Sequence, residues 1–254
     1  MPERTLIVWL WVRLAEIAKG QHMDTIIFDN LPFHLDPAEL MDMLRIKASS
    51  GHVAEIERLA QAAYDIGRPK AMYKVAYIES KGEDTIATDG VVFASRVLRV
   101  NVEKAHKVFP FIVTCGMELH EWASSIDDLL QRFWADAIAE MALRSAMQFL
   151  EKHLAEQYEF SQLARMNPGS LQDWPLREQQ ALFALLGDPQ AAIGVRLTGS
   201  LLMVPTKTVS GLIFPTEESF ASCQLCPRED CRGRRAPYDK DLYDRKYRAT
   251  AQRV

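Results

Sequence analysis

The stretch that decides the fold runs from Arg165 to Cys231 and contains three distinctive segments. These are RMNPGSLQDWP (165–175), LTGSLLMVPTKTVSG (197–211) and SCQLCPREDCRGRR (222–235). Prolines and glycines interrupt the stretch, which leaves little room for continuous helix and keeps backbone groups free to meet a ligand or a partner. We therefore expect the functional site here and expect the rest of the chain to support it.

The composition is that of an ordinary globular protein. The chain has 254 residues, of which 48% are apolar and 25% are charged, enough for one large domain or two small ones. The net charge of −4 gives no reason to predict nucleic acid binding, and no run of about eighteen apolar residues predicts a membrane helix. Three of the four cysteines are clustered, which indicates a metal or redox site in a reducing compartment and predicts a cytoplasmic protein.

The chain divides into three parts. Residues 1–22 contain the short apolar run LIVWLWV and precede a second methionine, so we interpret them as an extension or an upstream start without a role in the site. Residues 23–215 are predicted to form the main domain, and residues 216–254 carry the cysteine cluster and a charged tail. The basic residues of the tail predict either an interface for an acidic partner or a solvated helix.

Periodicity predicts an α+β fold with a mixed, largely antiparallel sheet and flanking helices. Helices are predicted after the cap Asp36, after Val53 and from Glu178 to Leu186. The predicted strands, which are rich in β-branched residues, are 72–78, 91–100, 109–114, 193–197 and 208–214.

The longest periodic segment predicts one helix over about residues 125–158. Ser125 and Asp128 resemble a capping box at its start. A helix of this length spans roughly 50 Å, so it is a backbone element of the whole fold. Its wide apolar stripe is expected to pack against the sheet, and the larger members of the stripe are Leu130, Phe133, Trp134, Ile138 and Met141.

Several motifs, in the same order, resemble the activation domain of cobalamin-dependent methionine synthase. The motifs are Arg165 with Pro168-Gly169, LFALLGD (182–188), IGVRLTGS (193–200), Met203, Pro205 and Val209-Ser210-Gly211. The chain also resembles the short, stand-alone versions of this domain, which carry a C-terminal cysteine cluster. The resemblance implies that residues 23–215 are an activation-like domain of methionine biosynthesis.

The resemblance also implies a ligand. The family binds S-adenosylmethionine and remethylates an oxidised corrinoid. By resemblance, Arg165 would hold the ligand carboxylate, which suits the planar fork of its guanidinium group. The backbone of Asn167, Pro168, Gly169 and Ser170 would lie against the adenosine, where glycine permits a close approach.

The chain departs from the family pattern at three places. Ser170 stands where the family has tyrosine, and Arg144 or Gln148 stands where the family has an acidic residue on the preceding helix. Phe220 is the nearest aromatic residue to the position of a tyrosine pair. Because S-adenosylmethionine carries a positive sulfonium and ammonium, the missing carboxylate favours loss of this ligand.

Cys223 and Cys226 have CxxC spacing, and Cys231 follows after four residues. Three thiols this close together predict an iron–sulfur cluster or a zinc site, completed by Cys115 or by a non-cysteine ligand. The alternative is a reduced or partly disulfide-bonded loop. Iron–sulfur suits a reactivation function, because reduction of a corrinoid requires an electron.

Two functions from different classes follow. The first is a stand-alone reactivation subunit for a cobalamin-dependent methyltransferase, which supports reductive methylation of the corrinoid with S-adenosylmethionine. Its partners would be a cobalamin-binding subunit and a flavodoxin- or ferredoxin-like electron donor. The second is a module that binds a corrinoid protein or transfers electrons through a metal cluster, and that has lost S-adenosylmethionine. Whether the chain is itself an enzyme depends on which function is right.

Overall fold

The computed structural model describes residues 25–231 and 233–248, and the predicted extension at 1–22 lies outside them. The helices are Pro37–Leu44 (α1), Val53–Ile66 (α2), Arg96–Asn101 (α3), Met117–Ser125 (α4), Leu129–Gln157 (α5), Gln179–Leu186 (α6) and Pro189–Ile193 (α7). The strands are Ile26–Phe28 (β1), Lys70–Tyr73 (β2), Ala76–Lys81 (β3), Thr85–Thr88 (β4), Val91–Ala94 (β5), Lys107–Thr114 (β6), Leu163–Met166 (β7), Arg196–Leu197 (β8), Met203–Val204 (β9) and Thr208–Pro215 (β10). The predicted α+β class and the single long helix are confirmed.

Strand β6 is the centre of the main sheet. Strands β2 and β3 pair with successive parts of β6 on one side, and β10 pairs with it on the other. Strand β7 then pairs with β10, while β1, β4 and β5 extend the sheet beyond β2 and β3. All these pairings are antiparallel, as predicted. The run Val209-Ser210-Gly211 therefore lies on an interior strand, between β6 and β7.

Apolar side chains cover both faces of this sheet. On one face, Leu150 and Leu154 of α5 pack with Phe109 of β6. On the other face, Trp174 and Tyr247 belong to a cluster with residues of α3, α6 and α7. Because both faces are covered, seven of the eight residues of β6 are buried, which explains why this strand reads as a nearly continuous apolar run.

The N-terminal half of α5 packs differently from the prediction. Trp134 and Ile138 are buried, but they contact a cluster built by α1, α2 and α4 rather than the sheet. Leu130 and Phe133, which were predicted to be buried, are 46% and 45% exposed. The apolar stripe of α5 is thus wider than the surface that covers it. None of the helices in the described ranges has the length and apolarity that a membrane span requires.

The long helix begins at Leu129 rather than near Ser125. Asp128 is its N-cap, and the carboxylate accepts hydrogen bonds from the N–H groups of Leu130 and Gln131, both at 2.9 Å. Ser125 is the last residue of α4. The predicted capping box is therefore wrong, because the Asp128 carboxylate itself satisfies two of the free N–H groups at the helix start.

Three of the predicted strands are interrupted. The run 91–100 is a strand only as far as Ala94, because Ser95 caps α3 by accepting a hydrogen bond from the N–H of Leu98 at 3.0 Å. The run 193–197 is a strand only in its last two residues, since α7 ends at its first residue. The first predicted strand is divided between β2 and β3. Local hydrogen bonding outweighed β-propensity at 91–100.

The packing of α5 makes a testable prediction. Trp134→Ala is expected to lower the free energy of unfolding by about 3–5 kcal/mol, because removal of a fully buried indole leaves a cavity between the helices. Phe133→Ala, at the neighbouring half-exposed position, should cost less than about 1 kcal/mol. Denaturant unfolding of the two variants measures both values. Equal losses would contradict this placement of the two aromatic side chains.

Candidate functional site

Arg165 lies on β7, opposite Ile213 of β10. Side chains alternate along a strand, and the neighbours Ala164 and Met166 are buried on the face away from α5. The guanidinium group of Arg165 therefore reaches the α5 side, where it forms an ion pair with Glu151. The Arg165 side chain is 18% exposed and that of Glu151 is 38% exposed. A cation and an anion thus stand side by side at the rim of the sheet.

The C-terminal segment also lies near this pair. Burial lowers the pKa of Arg165, and the Glu151 carboxylate opposes that shift. The positive charge of Arg235 lowers the same pKa further, whereas Cys223 raises it. The guanidinium group stays charged throughout the physiological pH range. Arg165 is therefore surrounded by charges from α5 and from the segment that follows β10.

The turn after β7 is closed by its own hydrogen bonds. The N–H of Gly169 donates to the carbonyl of Trp174 at 2.8 Å, and the N–H and hydroxyl of Ser170 donate to the carbonyl of Asn167 at 3.1 and 2.6 Å. Pro168 is buried, but Gly169 is exposed and has a φ of +81°. Glycine favours that backbone conformation, and a Cβ atom here would lie 3.1 Å from the side chain of Leu176.

Gly211 joins this turn to the interior strand. A Cβ atom at this position would lie 2.2 Å from the carbonyl oxygen of Met166 and 2.7 Å from the side-chain nitrogen of Asn167. The same Asn167 nitrogen donates a hydrogen bond to the carbonyl of Ser210 at 2.7 Å. Only glycine permits this approach of β10 to the end of β7. The motifs at 165–169 and 209–211 therefore form one structural unit.

The structure brings the predicted binding residues together at the end of β7. Arg165 and the segment 167–170 are consecutive parts of a strand and its turn. The side chains of Asn167 and Ser170 form hydrogen bonds within this unit. What the turn offers to a ligand is therefore mainly the exposed backbone around Gly169.

Glu151 was not predicted from the sequence. The acidic position of the family was assigned to Arg144 or Gln148, but Arg144 pairs with Glu140 of its own helix at 3.4 Å. The carboxylate that meets Arg165 comes from the next turn of α5, three residues after Gln148. Residues three apart share a helix face, so a search of this face for any acidic side chain would have found it.

The three clustered cysteines are not arranged as a metal site. No group of three or more His, Cys, Asp or Glu side chains within the described ranges is placed to hold a metal ion. Cys115, the predicted fourth ligand, is packed in the cluster of α1, α2 and α5, where burial raises the pKa of its thiol to about 12. Cys223 and Cys226 are half-buried and Cys231 is exposed. The predicted iron–sulfur or zinc site therefore gains no support from the fold.

Three of the basic side chains of the tail form ion pairs within the chain. The ion pairs are Arg245 with Asp239 at 2.8 Å, Lys246 with Glu218 at 2.8 Å and Arg248 with Asp244 at 2.7 Å. Arg232 lies outside the described residues. Because these charges are compensated locally, the predicted basic surface for an acidic partner or electron donor gains no support.

A comparison with protein families matches residues 100–224 to "Vitamin B12 dependent methionine synthase, activation domain". The predicted resemblance is confirmed. The matched region contains α5, β7, the turn at Gly169 and the strand that carries Gly211. It ends inside the cysteine cluster, between Cys223 and Cys226.

The fold of the activation domain extends beyond that region. The crystal structure of the MetH reactivation domain bound to AdoHcy is similar to this chain, with a TM-score of 0.55 over 80% of this chain and 82% of that one. The sequence identity is 16%, so this likeness concerns the fold alone. No curated protein matches the chain significantly by sequence.

The contact at Gly211 makes a second prediction. Gly211→Ala is expected to lower the free energy of unfolding by about 1–3 kcal/mol, because the new methyl group pushes β10 away from Met166. Gly199→Ala is the matched control, since a Cβ there would meet nothing within 4 Å, and it should change stability by less than about 0.5 kcal/mol. Thermal unfolding of both variants measures the two effects. If Gly211→Ala is as stable as the unmodified chain, the close approach of β10 to β7 is refuted.

Proposed function

We propose that this chain is a stand-alone reactivation subunit for a cobalamin-dependent methyltransferase of the methionine synthase type. It binds S-adenosylmethionine and supports reductive methylation of a corrinoid that a partner protein presents. The observation that carries the proposal is the Arg165–Glu151 pair beside the exposed turn at Gly169. The family match supports it, as does the likeness to a reactivation domain that was crystallised with AdoHcy.

The charges at the site suit the amino-acid end of this ligand, which carries both a carboxylate and an ammonium group. Arg165 contacts Glu151 through one guanidinium nitrogen, Nη1. A guanidinium group has five N–H donors, so others can bind the ligand carboxylate as a fork. Glu151 would then meet the ammonium group. Glu151 would in this way supply the carboxylate that the family pattern led us to expect at Arg144 or Gln148.

The turn at 167–170 suits the adenosine end. Gly169 is exposed, and its backbone is already fixed by the hydrogen bond to the carbonyl of Trp174. When bound, S-adenosylmethionine supplies a methyl group on a positive sulfonium, and the partner's corrinoid, reduced by one electron, supplies the nucleophile. The contribution of this chain is to hold and orient the methyl donor.

Two observations support a second function. Ser170 replaces the aromatic residue of the family, and Cys223 and Arg235 act electrostatically on Arg165. A chain that had lost S-adenosylmethionine would use the same fold to bind a corrinoid protein alone. Titration with the ligand separates the two functions.

The third prediction concerns this titration. Arg165→Ala should weaken S-adenosylmethionine binding by about tenfold or more, because a charge-assisted hydrogen bond contributes about 1.5–3 kcal/mol. Isothermal calorimetry on the reduced full chain measures the affinity. Arg144→Ala, which removes an arginine that pairs elsewhere on α5, should leave the affinity unchanged.

A variant that keeps the positive charge at position 165 separates the loss of ligand contacts from a general loss of stability. Arg165→Lys retains a partner for Glu151 but loses the planar fork, so its affinity should also fall while its thermal stability stays near that of the unmodified chain. If the unmodified chain does not bind S-adenosylmethionine, the reactivation function is wrong and the corrinoid-binding module is favoured.

A further inference from the structure

The cysteine loop, which we define as residues 222–231 and 233–236, lies within electrostatic range of Arg165. Cys223 and Arg235, at the two ends of this loop, both act electrostatically on Arg165. The loop begins with a 3-10 turn at Ser222–Leu225. The family match ends at residue 224, so most of the loop is additional to the matched region.

Hydrogen bonds of the protein itself hold this loop closed. The guanidinium group of Arg234 donates to the carbonyls of Cys223 at 3.2 Å, Cys226 at 3.3 Å and Ala236 at 3.2 Å, and it also bonds the carbonyl of Arg228. The side chain of Arg234 thus binds four backbone carbonyls around the two half-buried cysteines. These hydrogen bonds are sufficient to hold the loop closed.

Cys223 and Cys226 are placed for a disulfide. The N–H of Cys226 donates to the carbonyl of Cys223 at 3.2 Å, which continues the 3-10 turn. Residues three apart in such a turn lie on the same side, about 6 Å apart. The Cα atoms of natural disulfides are separated by about 4.4–6.8 Å, so this pair lies in range. Cys115 is buried among the helices and Cys231 is exposed.

The surroundings of Cys223 stabilise a thiolate. Its sulfur accepts a hydrogen bond from the backbone N–H of Arg235 at 3.4 Å. Burial alone would raise the pKa of Cys223, but hydrogen bonds from the backbone of Arg235 and Ala236, together with the charge of Arg235, outweigh burial and lower it. The thiolate is the reactive form of cysteine, so Cys223 is the attacking member of the pair.

We infer that Cys223 and Cys226 form a redox-active dithiol that exchanges with low-molecular-weight disulfides. The Cys223 thiolate attacks one sulfur of the small disulfide, that S–S bond breaks, and one small thiolate leaves. Cys226 then loses its proton to solvent and attacks the Cys223 sulfur, and the second small thiolate leaves. The chain gains one disulfide, and the small disulfide is reduced to two thiols.

This exchange changes the charge beside Arg165. A thiolate at Cys223 would compete with a ligand carboxylate for the guanidinium group of Arg165, whereas the disulfide carries no charge. The oxidised form should therefore bind the ligand more tightly. This consequence rests on the proposed function, but the disulfide itself does not.

The thiol count tests the pair. The reduced full chain has four cysteines. Equilibration with oxidised glutathione, followed by acid quenching and thiol titration in denaturant, should reduce the count from four to two, with Cys223 and Cys226 joined in the peptide map. Cys231→Ser is the matched control on the same loop, and its count should fall from three to one. Cys226→Ser should form no internal disulfide and should retain glutathione on Cys223.

Three outcomes would overturn the inference. They are a disulfide that involves Cys231 instead, four thiols that resist oxidised glutathione, and stoichiometric zinc or iron bound to the loop of the anaerobically purified chain. Each of these outcomes can be measured without adding a ligand of the Arg165 site.

The charge effect is measured separately with S-adenosylhomocysteine. The oxidised chain should bind it at least about threefold more tightly than the reduced chain, because the disulfide removes the negative charge that a Cys223 thiolate places near Arg165. In Cys226→Ser, carrying an uncharged methylthio group on Cys223 after treatment with methyl methanethiosulfonate, affinity should rise similarly. Absence of binding in both states would refute the proposed function and leave the disulfide result standing. Equal binding in both states would refute the charge effect alone.

Discussion

The close approach of β10 to the end of β7 at Gly211 is the constraint on which the site depends. The carbonyl of Met166 occupies the space that a side chain at position 211 would need. Asn167 then reaches across to the Ser210 carbonyl and fixes the start of the turn. Because the strands are locked at this point, Arg165 is held two residues earlier on the face toward α5. Glycine at position 211 is therefore a packing requirement.

The ion pair between Arg165 and Glu151 offsets the cost of burying a charged group. A half-buried guanidinium group loses hydration, and a carboxylate partner offsets that loss only when the geometry is good. Glu151 supplies the partner from a helix whose far half is anchored elsewhere, among α1, α2 and α4. The same pair of charges matches the two charged groups of a free amino acid. Under the proposed function, the pair is stable without a ligand and complementary to a zwitterion when one binds.

The segment after β10 folds back instead of projecting away. Tyr247 is fully buried and its hydroxyl donates to the side chain of Asn101 at 3.0 Å. Arg234 closes the cysteine loop. These contacts hold the cysteine loop within electrostatic range of Arg165.

The sequence by itself determined the fold class, the long helix and the strand at 208–214, since periodicity, glycines and prolines act over short distances. It did not predict β7, the short strand that carries Arg165. It did not determine that Leu130 and Phe133 stay exposed, because the extent of a packing surface depends on which elements cover it. Nor did it identify Glu151, whose partner lies fourteen residues later on another element. Only the tertiary structure decided which charges meet and how the cysteines are held, because pairing across elements depends on the packing of the whole chain rather than on local residue order.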